Sequence, residues 1–237
     1  TLLAIVVTSM LLLMLVAVQF ATTLEPDTVL LVAIVFQVGV VAFFAPAVCS
    51  GSITDERTSG TLVLLRMTCL PVRVVVAGKL KAGLLYVMIF LTSSIPVLWA
   101  LSYLEASSAY WRIGAWFGIL VLTTAAFVST GLCASTLAPT TGAATAVSYS
   151  FAALVCIGTL SILLFGSRVS PSLQAIVLCF NPLVAALQIT SDELFSKLPR
   201  IFGNPLWVNT MLFLGGLSVL LNIVTAIRVK QIFVQRD

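Results

Sequence analysis

Apolar runs of about twenty residues recur along this chain, and the charged residues lie almost entirely between them. A helix needs about 20 consecutive apolar residues to cross the hydrocarbon core of a bilayer. Only 8% of the residues are charged and 60% are hydrophobic, whereas soluble domains are about a quarter charged. The sequence therefore predicts an all-α polytopic membrane protein that does not bind nucleic acid.

Six runs reach spanning length, and we predict a single transmembrane domain over residues 1–237. The predicted spans are 2–22, 29–51, 82–104, 113–137, 143–165 and 206–227. The chain starts inside the first run without a Met or a charged leader, so we expect the natural N-terminus to precede residue 1.

Charge between the spans predicts their orientation, because basic residues collect on the cytoplasmic side. With both termini inside, five basic residues of the 52–81 segment and three of the tail face the cytoplasm, against four outside. The sequence thus predicts six spans with both the N- and the C-terminus in the cytoplasm.

The segment 170–195 is almost long enough to be a seventh span, but Asn181 and Pro182 interrupt it. A seventh crossing would also place the basic tail outside. Irregular backbone at membrane depth persists only where protein or a water-filled cavity covers it. We therefore predict two short helices that form a re-entrant or interfacial broken segment on the outer face, between the fifth and sixth spans.

Chemical groups for catalysis or ion coupling are scarce in the predicted spans. No span contains Asp, Glu, Lys, Arg or His in its apolar body, and the chain has no histidine at all. Ion-coupled carriers usually place such a residue near the midplane, and acid–base catalysis needs positioned titratable groups. The Gly-Lys of "AGKLKAG" lacks the rest of a phosphate-binding loop. We predict no catalytic, cofactor or metal site, and expect energy for transport to come from another subunit.

The stretch "SITDERTSGTLVLLRMTCLPVRVVVAGKLK", residues 52–81, is the most charged part of the chain. Thr54 is a possible helix cap, and Gly60 predicts a tight turn. A short amphipathic helix is expected to follow and to stop before Pro71, with a second short helix from about Pro71 to Lys79. The first helix either lies on the bilayer or projects to meet a partner, and the residues alone leave both open.

Within this stretch, the pattern Glu56-Arg57-x-x-Gly60-Thr61-Leu62-x-Leu64-Leu65 is followed by Thr68, Pro71 and Gly78-Lys79-Leu80. It resembles the signature that ABC-2 type permeases, the membrane subunits of ABC transporters, carry between their second and third spans. Val63 and Cys69 depart from that signature, where Glu and Pro are common, which puts details of the partner interface in doubt.

The resemblance implies a half-transporter without ATPase activity of its own. Two permease chains, identical or homologous, would form the pathway, and two ABC ATPase subunits carrying ATP and Mg would dock on coupling helices, here about residues 58–68. The coupling residues it implies are Glu56, Arg57, Gly60, Thr61, Leu62, Leu64, Leu65 and Arg66.

Analogy with the family also implies that the protein is an exporter. We expect a multi-pass protein of the cell membrane, in a prokaryote the cytoplasmic membrane. The substrate is not indicated by the sequence. Two other functions stay open: a non-transporting scaffold or assembly subunit whose basic segment binds the bilayer, and an autonomous channel or carrier.

Overall fold

The computed structural model describes residues 26–61, 71–104, 110–164, 169–190 and 203–234, together with residues 11, 67, 199 and 200. The described residues form an all-helical protein without β-strands, as the sequence predicts. The first predicted span, 2–22, lies outside the described residues apart from residue 11, so the number of spans and their orientation stay predictions.

Nine α-helices and one π-helical turn make up the described chain, and we number the helices in chain order. They are α1 (Pro26–Ser50), α2 (Thr54–Thr58), α3 (Val72–Leu104), α4 (Tyr110–Leu137), α5 (Thr141–Ala153), the π-helical turn (Leu154–Gly158), α6 (Ser161–Leu164), α7 (Pro171–Leu178), α8 (Pro182–Thr190) and α9 (Leu206–Val234).

Four helical stretches of the described chain are long and apolar enough to cross a membrane. They are Leu31–Thr58, Trp111–Leu137, Thr141–Leu164 and Leu206–Ile232. The bent pair α7–α8 makes a fifth if it is counted as one span. The four stretches overlap the second, fourth, fifth and sixth predicted spans, which supports a multi-pass membrane protein.

The third predicted span, 82–104, is the C-terminal part of α3, which begins ten residues earlier at Val72. The prediction of a separate short helix from Pro71 to Lys79 is therefore wrong. Pro71 lacks a backbone N–H and precedes the first turn, where that donor is not needed. No residue between Lys79 and Ala82 interrupts the helix. Residues 72–81 are therefore the first turns of one long helix.

Helix α4 lies at the centre of the bundle. In its most apolar stretch 72% of the residues are buried within the protein, against 22% for α9. Its largest buried side chains, Ile119, Phe127 and Leu132, are fully enclosed, and its neighbours include α1, α3, α5 and α9. Most of the surface of α4 is therefore covered by other helices of the bundle.

Small residues bring α1 and α4 into backbone contact. A Cβ added to Gly131 would lie 2.5 Å from the carbonyl oxygen of Pro46 and 3.3 Å from the amide nitrogen of Ser50. Gly131 therefore serves helix packing within the chain, where small residues let helices approach closely. At Gly114, by contrast, an added Cβ meets nothing within 4 Å.

Hydroxyl groups inside the helices donate hydrogen bonds to backbone carbonyls of the same helix. Thr123 donates to the carbonyl of Ile119 at 2.7 Å, and Thr124 donates to that of Leu120 at 2.8 Å. Such bonds to the preceding turn let a polar residue lie in an apolar environment without an unpaired donor.

Candidate functional site

Residues 51–61, which we call the elbow, join α1 to the predicted coupling segment and contain the short helix α2. The backbone turns at residues 51–53 immediately after α1, and α2 ends at Thr58. The elbow contacts α3 and α4 through three sets of polar bonds, each made by a different part of the elbow. Each set joins the elbow to a residue at least 23 positions away in the sequence.

The first set is centred on the hydroxyl of Ser135, which lies in α4 and is fully buried. Its oxygen accepts hydrogen bonds from the backbone N–H of Ile53 at 2.8 Å and of Thr54 at 3.0 Å. These two N–H groups stand at the start of α2, where backbone N–H groups have no acceptor within their own helix. A side chain of α4 thus caps α2 from outside.

Thr54 is not the cap that the sequence suggests. The structure places Ile53 at the N-cap position, without a capping side chain, and Thr54 inside the helix. The Thr54 hydroxyl lies 3.2 Å from Ser135 Oγ and 3.3 Å from the carbonyl oxygen of Ser50. Because Thr54 is fully buried against α4, its hydroxyl bonds the preceding turn and Ser135. It does not accept from a following backbone N–H of the described chain, as a capping side chain would.

The second set joins the elbow to α3 through Lys79. Its Nζ lies 2.7 Å from Glu56 Oε1 and donates to the carbonyl oxygen of Ser52 at 2.6 Å. The Lys79 and Glu56 side chains are 18% and 30% exposed, so solvent screens the pair only in part. Glu56 Oε2 is buried and has no hydrogen-bond partner among the described residues.

The third set is the bond from Arg57 to α4. The guanidinium donates from Nη2 to the carbonyl oxygen of Ala138, directly after the last residue of α4. The last carbonyls of a helix lack intrahelical partners and carry the negative end of the helix dipole. A cation at that point therefore both satisfies a carbonyl and interacts favourably with the helix end.

The tip of the elbow faces solvent. Thr58, Ser59, Gly60 and Thr61 are exposed, and Gly60 has a φ of 75°. Residues with a Cβ rarely adopt that left-handed conformation. Apart from the two chain neighbours of Gly60, no described residue lies within 4 Å of the position that a Cβ would occupy. Ser59 Oγ and Thr61 Oγ1 lie 3.0 Å apart across the turn.

The structure therefore brings four of the eight predicted coupling residues into one elbow. Glu56 and Arg57 bind inward, to α3 and to the end of α4, while Gly60 and Thr61 form the exposed tip. The other four lie outside the described residues. They are Leu62, Leu64, Leu65 and Arg66.

Sequence reasoning assigned no role to Lys79 or Ser135, although both bind the elbow directly. Lys79 stood out only as part of the Gly78-Lys79-Leu80 motif. In the sequence, Lys79 is visible as a cation at the edge of an apolar run. Its partner Glu56 lies 23 residues earlier, and a separation of that length predicts no pairing. Ser135 gave no signal, since it is 81 or more residues from its partners.

The predicted broken segment consists of α7 and α8, which meet at an angle of 104°. Asn181 lies between them and is fully buried. Its Oδ1 accepts from the backbone N–H of Leu183 at 2.8 Å, capping α8. Pro182 follows as the first residue of α8, where its missing N–H costs nothing.

The amide of Asn181 also binds the fifth predicted span. Its Nδ2 donates to the carbonyl oxygen of Cys156 at 2.9 Å and to Thr159 Oγ1 at 2.8 Å. Cys156 lies in the π-helical turn, where the regular α-helical bonding pattern is interrupted. One asparagine thus caps α8 and anchors the break to the irregular part of a neighbouring helix.

A second polar contact lies deeper in the bundle, between α4 and α9. The Ser129 and Ser218 hydroxyl oxygens are 3.0 Å apart, and Asn222 Nδ2 donates to Ser129 Oγ at 2.9 Å and to the Ser218 carbonyl at 2.8 Å. Side-chain bonds of this kind join transmembrane helices. The Asn222 amide hydrogens therefore serve packing at this depth.

Two comparisons with known proteins found no match: no protein-family model matches the chain, and neither does any curated protein. Within the described ranges, no three His, Cys, Asp or Glu side chains are grouped so that they could hold a metal ion.

Proposed function

We propose that the chain is the permease subunit of an ABC-2 type transporter and exports a substrate with energy from separate ATPase subunits. Two such ATPases, with ATP and Mg, dock at the 52–81 segment, and a second permease chain, identical or homologous, completes the pathway. The protein then belongs to the cell membrane, with the elbow in the cytoplasm.

The observation that carries this proposal is the attachment of the elbow to several helices at once. It continues directly from α1, and it is bonded to α3 by Lys79 and to α4 by Ser135 and Ala138. Near the same point, Ser50 Oγ of α1 lies 3.0 Å from Thr145 Oγ1 of α5. A force on the elbow is therefore distributed over four helices and not absorbed by a loose loop.

The exposed tip supports docking of a partner at the same place. Gly60 and Thr61 face solvent while the bonds of Glu56 and Arg57 point into the bundle. The elbow thus has an inner side that binds the helices and an outer side free of such bonds in the described residues. A part that transmits movement needs both sides.

The experiment that tests the proposal is purification of the full-length chain from its native membrane. The purified complex is probed with a photoreactive ATP analogue and assayed for ATP hydrolysis in vesicles. We expect an ATP-binding subunit in equal number to the permease chain, with hydrolysis that depends on both. Purification without an ATP-binding subunit, with elbow variants that alter only lipid binding, would identify a scaffold instead. Solute flux through the chain alone would identify a channel or carrier.

A further inference from the structure

A groove of about 610 Å³ runs between the start of α3 and the second half of α9. Its floor is mostly apolar, and its lining includes Val76 and Leu80 from α3 and Asn222, Ile223 and Ile227 from α9. Arg73 of α3 and Lys230 of α9 line the same groove towards one end. Lys79, which binds the elbow, lies on α3 beside the lining residue Leu80, so the groove is on the elbow side of the bundle.

Among the described residues, the two cations have no oppositely charged partner. Neither Arg73 nor Lys230 forms an ion pair or hydrogen bond with the described residues, and no described Asp or Glu lines the groove. Both side chains are exposed. The groove therefore combines an uncompensated positive end with an uncharged, apolar length, which are the features of a site for an anionic amphiphile.

The dimensions of the groove correspond to one leaflet of a bilayer. Its lining on α9 extends from Val219 to Lys230, a length of about 16 Å at the rise of an α-helix. The hydrocarbon core is about 30 Å thick, so one leaflet is about half of that. The lining on α9 is therefore about as long as the acyl region of one leaflet.

We propose that this groove binds one anionic phospholipid of the leaflet on the elbow side. The phosphate lies between Arg73 and Lys230, and an acyl chain lies along the floor formed by α3 and α9. Charge complementarity selects an anionic headgroup over a zwitterionic one, and the apolar length selects a lipid over a soluble phosphate. The proposal does not depend on the transport function proposed above.

Native mass spectrometry of the delipidated full-length protein, titrated with phosphatidylglycerol or with phosphatidylcholine of the same acyl chains, tests the site. We expect the first phosphatidylglycerol to bind about tenfold more tightly than phosphatidylcholine. The double variant Arg73→Gln/Lys230→Gln is expected to remove this preference. The matched control Lys81→Gln/Arg228→Gln removes two exposed cations from the same helices, outside the groove, and is expected to retain it.

A second pair of variants tests the apolar floor without changing charge. Ala77 lines the groove, whereas Ala82 is exposed on the same helix and does not line it. Ala77→Phe is expected to reduce binding of phosphatidylglycerol about tenfold by filling the groove, and Ala82→Phe to leave it unchanged. Thermal melting of each variant establishes that it is folded.

Three results would overturn the proposal. Equal loss in the two charge variants would indicate a diffuse surface effect. Displacement of phosphatidylglycerol by sn-glycerol 3-phosphate would indicate a soluble anion site. A dimer that persists without lipid and excludes phosphatidylglycerol from the groove would indicate that a second copy of the chain covers it.

Discussion

The Nζ of Lys79 lies 2.7 Å from Glu56 Oε1 and 2.6 Å from the carbonyl oxygen of Ser52, so one side chain of α3 binds the elbow on both sides of the start of α2. A single cation thereby fixes the position of the elbow against a helix that continues to the far side of the bundle. The contact joins two segments that the sequence separates by 23 residues.

This pair predicts unequal effects of its two single substitutions. Lys79→Met loses both bonds, while Glu56→Gln loses only the charge of one, so Lys79→Met should lower the melting temperature more. A double-mutant cycle should give a coupling energy of about 1 kcal/mol that decreases at high salt. Asp55→Asn, which removes an exposed acid beside the pair, is the control. A coupling energy near zero would show that the pair does not fix the elbow.

Ser135→Ala should lower the stability of the protein more than its small change in volume suggests. It leaves the buried N–H groups of Ile53 and Thr54 without the oxygen that accepts both. We expect a loss of about 2 kcal/mol, seen as a fall of about 4–8 °C in the melting temperature in detergent. Ser148→Ala is the matched control, because that buried hydroxyl bonds only the carbonyl of Ala144 in its own helix. Equal losses in the two variants would contradict the capping role of Ser135.

Gly131→Ala should separate α1 from α4, since the new methyl group would lie 2.5 Å from the backbone oxygen of Pro46. Overpacking of this kind costs about 1–3 kcal/mol. The control Gly114→Ala, in the same helix but with open space, should be neutral or slightly stabilising because alanine favours helix. Thermal unfolding of both variants measures the difference, and the prediction fails if Gly131→Ala is tolerated as well as its control.

Asn181 combines two functions that substitutions can separate. Asn181→Ser retains a cap for α8 but not the bonds to Cys156 and Thr159, whereas Asn181→Ala loses both. We expect Asn181→Ala to cost about 1 kcal/mol more than Asn181→Ser, the usual worth of a cap. Melting temperatures measure stability, and cleavage by added protease between α7 and α8 reports opening of the break. Identical behaviour of the two variants would show that the cap contributes nothing.

The sequence predicts the helices well because their information is local. Apolar length marks α1, α4, α5 and α9, and the Asn181-Pro182 pair marks the bend between α7 and α8, since proline and its predecessor restrict the backbone directly. The start of α3 is the exception. A proline and several charges suggested a separate short helix, but the chain continues through Lys79 as one helix, and Lys79 pairs with Glu56 from a distant segment.

The candidate site was predictable only in part, because only some of its features depend on local sequence. Gly60 signals a turn by its own conformational freedom, so the position of the tip could be read from the sequence. The partners of the elbow could not, because Lys79, Ser135 and Ala138 meet it only after α3 and α4 have packed. Thr54 shows the limit most clearly, since burial against Ser135 overrides its preference for capping.

If an ATPase subunit docks at the elbow tip, as we propose, the amount of ATP-binding subunit retained per purified chain depends on the residues at and directly after that tip. The variant Gly60→Glu/Leu62→Glu/Leu65→Glu carries the test, and Gly203→Glu is a control at an exposed glycine with a similar φ of 76°. We predict loss of the ATP-binding subunit from the triple variant and full retention in Gly203→Glu, with both chains still folded. Equal retention in the two variants would contradict the account.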